Sequence, residues 1–281
     1  MRAGAPLLMP GEMKVRIDAF LTAIATAERV RILYAVESGS RAWGFASTNS
    51  DWDVRFIYVR SLDWYLSVRN RRDVLEIPID DGLDASGWDI RKALYLFGKS
   101  NPPLLEWLRS PLVYREALTT TERLRKLSND FFSPKSCMVH YLRMAERNYR
   151  EYLQGEKVWL KKYFYVLRPV LACCWIRQHG SMPPMEFGKL VDDQLPDEVR
   201  PNVDQLLQRK RSGDELDEGP RIPEINEFVE QTIDRLRVSS ATLADVRRPD
   251  PSVLDLVFRE CLAEAWDLRD LRVAAQADGV G

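Results

Sequence analysis

Histidine and cysteine are scarce in this 281-residue chain, and their scarcity narrows the chemistry available to it. His140 and His179 are the only histidines, 39 positions apart, and no H-x-x-x-H pair or Cys/His zinc spacing is present. Neither histidine is placed by a motif, and no G-x-S-x-G elbow surrounds Ser38 or Ser40, which sets aside a serine-nucleophile enzyme. Cys137, Cys173, Cys174 and Cys261 lack metal-type spacing, and the adjacent pair lies in an apolar, helix-like run. Buried reduced thiols are therefore expected rather than a disulfide framework. No window approaches the run of about 18 apolar residues needed to span a membrane, and Met1 to Pro10 lacks the charged-then-apolar layout of a secretory signal. The expectation is a cytoplasmic protein without a membrane partner. Charge of one sign is missing as well, since 41 Lys and Arg face 42 Asp and Glu for a net charge of −1. A polynucleotide would have to be gripped locally rather than by a broad basic field. Arg69, Arg71 and Arg72 near Trp64 and Tyr65, and Lys161 and Lys162 beside Tyr163 and Tyr165, have the mixture of charge and rings that can do so, although solvated surface with packed rings has the same composition. There is no internal repeat and no long low-complexity segment.

What the chain does have is 45% hydrophobic residues, enough for one large or two modest cores. It also has one dense motif. Arg31 to Glu37 is an apolar run of strand length that stops abruptly at Ser38-Gly39-Ser40. Gly39 admits backbone angles closed to other residues, and the small side chains leave N–H groups and hydroxyls free to face phosphate oxygens. A second strand begins near Trp52. Residues two apart in a strand point the same way, so Asp51 and Asp53 project together at its start, close to the loop. Carboxylates held this way repel unless a cation lies between them, and hard oxygen ligands suit Mg²⁺ or Mn²⁺. A third carboxylate is expected from a neighbouring strand. Its candidates are Asp84, in a segment of strand length, and Asp89, which stands directly before a helical pattern as an N-cap does.

Gly39-Ser40 followed after ten residues by Asp51 and Asp53 resembles the signature of the DNA polymerase β superfamily of nucleotidyltransferases. The fuller string from Ser38 to Val59 is similar to a branch of predicted bacterial nucleotidyltransferases, some associated with RNA-repair operons, and is less similar to the antitoxin nucleotidyltransferases. The resemblance implies that Asp51, Asp53 and Asp84 are the catalytic, metal-binding acids, with Asp89 the runner-up. It implies two ions, Mg²⁺ or Mn²⁺, and an NTP substrate whose β and γ phosphates rest on Gly39 and Ser40. Arg41 either touches phosphate or ties down the loop, and Arg55 lies opposite or alongside the site according to register. Lys161, Tyr165 and Arg168 occupy i, i+4 and i+7 of a helix, hence one face. The family's comparable arrangement implies that they hold the triphosphate and support the leaving pyrophosphate, while Lys162 falls elsewhere on the helix; a basic face paired with surface acids is the plainer reading. Asn101-Pro102 and Glu106 resemble the family's N-P…E pattern, or are a helix stop and a surface charge. Trp43 and Trp88 are near enough to the motif to line a nucleoside pocket.

The expected architecture is α+β. Residues 1–118 form a polymerase-β-like catalytic domain with a small mixed sheet and helices, and residues 119–281 form a helical bundle. In the first part a leading helix spans Glu12 to Val30. Val74 to Ile79 and Leu83 to Trp88 read as strands, Leu62 to Val68 as a short helix or turn, and Leu104 to Leu108 as a short helix. In the second, helices are expected over Thr120 to Phe131, Pro134 to Gly155, Val158 to His179, Glu198 to Arg211, Ile222 to Arg237 and Ser252 to Ala275. Pro183-Pro184 and Arg211 to Pro223 connect them, and Ala274 to Gly281 is a frayed tail. The expected reaction moves an NMP from an NTP to a hydroxyl, most readily an RNA end. A protein or small-molecule acceptor and a non-catalytic nucleotide-sensing module are the alternatives, because the motif reports the donor and not the acceptor.

Overall fold

In the computed structural model, residues 11–268 are described except 81, 215, 245 and 247. Met1 to Pro10, the tail Ala274 to Gly281 and the last turns of the helix expected to reach Ala275 lie outside the described residues. The chain runs α1 (Gly11–Glu28), β1 (Arg31–Glu37), α2 (Gly39–Ala42), β2 (Trp52–Val59), α3 (Leu62–Tyr65), β3 (Val74–Asp80), β4 (Leu83–Asp89), α4 (Ile90–Gly98), α5 (Pro102–Leu108) and β5 (Val113–Glu116). Then follow α6 (Thr120–Phe131), α7 (Pro134–Tyr152), β6 (Lys157–Trp159), α8 (Lys162–His179), α9 (Phe187–Gln194), α10 (Arg200–Arg211), β7 (Glu218–Pro220), α11 (Pro223–Thr242) and α12 (Ser252–Trp266). This is the α+β architecture expected, a mixed sheet followed by helices.

Five strands pair in the order β3-β4-β2-β1-β5. β2 and β4 are parallel, and the other neighbours are antiparallel. β1 and β2 occupy the middle, which is why β1 is an unbroken apolar run rather than an alternating one. On one face Ile17, Leu21 and Ile24 of α1 pack on Ile32, Val54, Phe56 and Tyr58. On the other, Val36, Ile57 and Val59 meet α4, α5 and the later helices. A bulge between Ile32 and Tyr34 turns two consecutive residues, Leu33 and Tyr34, toward the helices. Gly87 is the register partner of Phe56, and a methyl group there would fall 2.1 Å from the ring. The close β2–β4 approach depends on that missing side chain.

The apolar cluster on the helical side runs from Leu33 on β1 to Ala265 on α12 without a break at residue 118. The longest helical contact is α7 against α8, two helices whose buried faces include Tyr141, Ala145, Phe164 and Leu171. Four short elements depart from the expectation. The start of the helix read from Val158 is instead β6, paired with β7 inside the stretch read as a connecting loop. Three residues per strand leave too little pattern to detect, and both strands are ordered by packing, Gly219 lying against Leu160. α9 and β5 were likewise not expected; each is short and depends on its neighbours for burial.

Candidate active site

The site is built where β1 hands over to β2. β1 ends at Glu37, the chain turns through Ser38 into α2, and β2 returns antiparallel, with the Ser38 amide donating to the Asp53 carbonyl at 2.8 Å. Gly39 takes φ of +61°, and its α-carbon lies so close to Asp53 that an added methyl would stand 2.1 Å from Oδ2. Glycine is needed here both for its backbone angle and for the space left to the carboxylate. Gly39→Ala should therefore displace Asp53 and strain the turn. The expected result is a loss of about 100-fold or more in nucleotide incorporation, measured beside a thermal melt; an unchanged rate would show that the loop does not position the acid.

Parallel pairing of β2 with β4 makes Asp84 the direct register partner of Asp53. Asp89 is placed elsewhere. It is buried, caps α4 by accepting from the Arg91 amide at 2.8 Å, and accepts from the Tyr65 hydroxyl at 2.9 Å. Of the two candidates for a third carboxylate, only Asp84 stands beside Asp53. Arg55 lies alongside the site. Its Nη2 donates to Asp53 Oδ1 at 3.1 Å and to Asp84 Oδ2 at 2.7 Å, and its Nη1 donates to the Asp84 carbonyl at 3.1 Å. Burial raises the Asp53 pKa; Arg55 works against that shift, and the charges of Asp84 and Asp51 add to it. Among the described residues no group of three His, Cys, Asp or Glu side chains is gathered tightly enough to hold a metal ion. The Arg55 guanidinium takes the place between two of the acids.

Arg41 ties down the loop. It donates to the carbonyls of Asp51 at 3.2 Å and Ser50 at 2.5 Å, and its guanidinium lies 3.7 Å from the centre of the Trp52 ring. Beneath the loop is a group the motif did not announce. Glu37 is fully buried, accepts from the Asp53 amide at 2.9 Å and from the Tyr114 hydroxyl, and has its pKa raised to about 7, chiefly by burial. A charged residue ending an otherwise apolar strand was the available signal for it.

Opposite the carboxylates lie the N-terminal turn of α8 and the end of α10. A cavity of about 260 Å³ is lined by Ser40, Asp51 and Asp53 on one side and by Lys161, Lys162, Tyr165 and Lys210 on the other. Burial raises the Tyr165 pKa, and the charges of Asp53 and Asp51 raise it further, as its position facing them requires. Lys162, expected elsewhere, also lines the cavity, from the first residue of α8. Lys210 had no sequence signal, being brought in by the packing of a helix far along the chain.

Arg168 does not reach the cavity, which corrects the expectation that it shares a phosphate-facing surface with Lys161 and Tyr165. It is 4% exposed, donates to Glu106 Oε1 at 2.8 Å, and lies 4.4 Å from the centre of the Trp43 ring. Glu106 is buried too and also accepts from the Tyr141 hydroxyl, so it is not a surface charge; Asn101 caps α5 through the Leu104 amide. Trp43 in turn meets Tyr165 edge-on, with ring centres 6.0 Å apart, linking this buried pair to the cavity wall. Trp88 packs against Trp107, the rings tilted with centres 4.0 Å apart, instead of lining a nucleoside pocket. Of the basic clusters, Arg71 packs over Trp64 and Arg72 pairs with Glu76.

The model of the RNA repair pathway DNA polymerase beta family, RlaP, matches residues 13–260. The chain belongs to that family. A relative, the uncharacterized protein YcgL of Bacillus subtilis (strain 168), is 50% identical over 255 residues, which is 90% of this chain and 98% of the relative. A solved nucleotidyltransferase-like protein from Exiguobacterium sibiricum 255-15 is 12% identical with a TM-score of 0.32, covering 81% of this chain and 77% of that one. The RlaP match takes in the loop, all three acids of the site and the lysines facing them. That membership places the chain among nucleotidyltransferases of the polymerase-β type. No helix of the described residues is long and apolar enough to cross a membrane.

Proposed function

We propose that this protein transfers an NMP from an NTP to a hydroxyl at an RNA end, in the cytoplasm. The observation that carries the reading is the cavity itself, with Asp51 and Asp53 on one wall and Lys161, Lys162 and Lys210 on the other. A triphosphate fits between walls of opposite sign when its metal-bearing side faces the acids. The donor set is carboxylate oxygen, which suits Mg²⁺ or Mn²⁺. Asp51 and Asp53 would hold the ion on the triphosphate, and Asp53 with Asp84 a second one once Arg55 yields its contacts. Such ions neutralise phosphate charge and lower the pKa of an acceptor hydroxyl. Gly39 and Ser40 seat the β and γ phosphates. The acceptor oxygen forms a bond to the α phosphorus as the bond to pyrophosphate breaks, and Lys161, Lys162 and Lys210 take up the departing charge. Tyr165 packs the helical wall beside them. Arg168 supports that wall from behind through Trp43 and is not assigned a phosphate.

Label from each α-³²P NTP, supplied with Mg²⁺ or Mn²⁺ to total RNA and to total protein, tests this. RNase-sensitive product is expected. Protease-sensitive product would move the acceptor to protein. One observation favours a second reading, that of a nucleotide-sensing module: Arg55 already compensates Asp53 and Asp84. NTP binding without metal-dependent transfer to any acceptor would establish it.

A further inference from the structure

A groove larger than the nucleotidyl cavity lies away from the acids. Lys135, His140, Arg143 and Arg147 follow one another along a face of α7, and Arg248, from the segment before α12, closes the other side of an open groove of about 750 Å³. No carboxylate of the described residues lines it. That is unusual in a protein of net charge −1, where Arg60, Arg115, Arg123, Arg125 and Arg237 each meet an acid. Glu146, on the same helix, faces away and pairs with Arg237. Arg143 and Arg147 are exposed, one turn apart, and in no ion pair with a described residue. Like charges so spaced repel, at a cost of tenths of a kcal/mol without a counter-anion. Arg248 is held in place by neutral groups, donating to the Gly98 carbonyl at 3.0 Å and to Ser136 Oγ at 2.5 Å. Its charge is thus oriented, and no carboxylate of the described residues forms an ion pair with it.

The shape of this file narrows the anion. His140 to Arg147 covers seven residue steps, about 10 Å along a helix, longer than a single phosphate. Val139 and Met144 supply apolar floor between the cations, and His140 a ring. The file ends one residue before Asn148, whose side chain donates to the Tyr165 carbonyl at 3.1 Å on the wall of the nucleotidyl cavity. Charge along a line, with apolar surface between, fits a phosphodiester strand with unstacked bases.

We infer that this groove binds the single-stranded backbone of the acceptor RNA behind the end that receives the nucleotide. The inference rests on the RNA-acceptor reading above. Arg143 and Arg147 contact phosphates, and Arg248 fixes a third.

The test is fluorescence anisotropy of a fluorescein-labelled 20-nucleotide single-stranded RNA with the full chain and with Arg143→Ala/Arg147→Ala, from 50 to 200 mM KCl. Both substituted side chains are exposed, so an unchanged melting temperature is expected. The variant should bind at least about tenfold more weakly, with the slope of log K against log salt reduced by about 1.4, two contacts at ~0.7 each. Transfer to a dinucleotide acceptor, too short to reach the groove, should be unchanged. Equal affinity and slope in the two proteins would overturn the groove while leaving the RNA acceptor standing. Failure of the parent to bind RNA, with label going only to protein, would overturn both. Displacement of the RNA by heparin and by double-stranded DNA as readily as by RNA of equal charge would reduce the groove to a nonspecific polyanion surface and overturn the inference.

Discussion

Asp51→Ala/Asp53→Ala is expected to abolish nucleotidyl transfer, by at least about 10³-fold or ~4 kcal/mol in the barrier, while the protein keeps its fold. The two acids face a lysine-lined wall and contribute no apolar packing. Asp53 is held against a preference for neutrality, because burial and the nearby charges of Asp84 and Asp51 all raise its pKa. Removing it relieves that repulsion and leaves Arg55 with Asp84 as its remaining carboxylate. The melting temperature should therefore hold or rise as activity vanishes. Steady-state incorporation and thermal melts on the same preparation check both halves. Turnover retained above a mock preparation would remove these residues from the chemistry, and a collapse of the melt would recast them as structural.

Glu106→Ala is expected to destabilise the protein by ~3–5 kcal/mol, the largest effect on stability of any single change considered. Glu106 and Arg168 are both buried, and their contact joins α5 to α8 across the core. Deleting the acid strands a guanidinium whose Nε already lacks a partner, and it also frees the Tyr141 hydroxyl. The Trp43 ring, 4.4 Å from the guanidinium, offsets only part of the lost charge pairing. Urea unfolding of Glu106→Ala beside Glu106→Leu/Arg168→Met separates the two contributions. The double substitution should recover most of the loss, since replacing both partners removes the uncompensated charge. A single variant as stable as the parent would mean that water reaches Arg168. Because Trp43 touches Tyr165, the single variant should also weaken NTP binding, which places this pair behind the cavity wall.

The arrangement of the candidate site was legible in the sequence where it depends on short-range geometry. Strand alternation sets Asp51 and Asp53 on one side, and the abrupt end of an apolar run at Ser38-Gly39-Ser40 marks the turn that brings them to the loop. The N-cap reading of Asp89 was also local. The choice of Asp84 as the neighbour of Asp53 was not, because register between β2 and β4 belongs to strands thirty residues apart. The same limit explains Arg168. A helical repeat shows which residues share a side, but not whether that side meets solvent or a buried Glu106 from another helix.

By itself the sequence determined the α+β class, the loop and the alternating acids, since each follows from the period of the backbone and the size of neighbouring side chains. Tertiary structure alone decided that Arg55 sits between two carboxylates, that Glu37 is buried beneath them, and that Lys210 faces them. It also turned Arg168 inward and lined up cations on α7 with Arg248. Those outcomes depend on which surfaces pack together, and packing joins residues whose separation along the chain leaves no periodic trace.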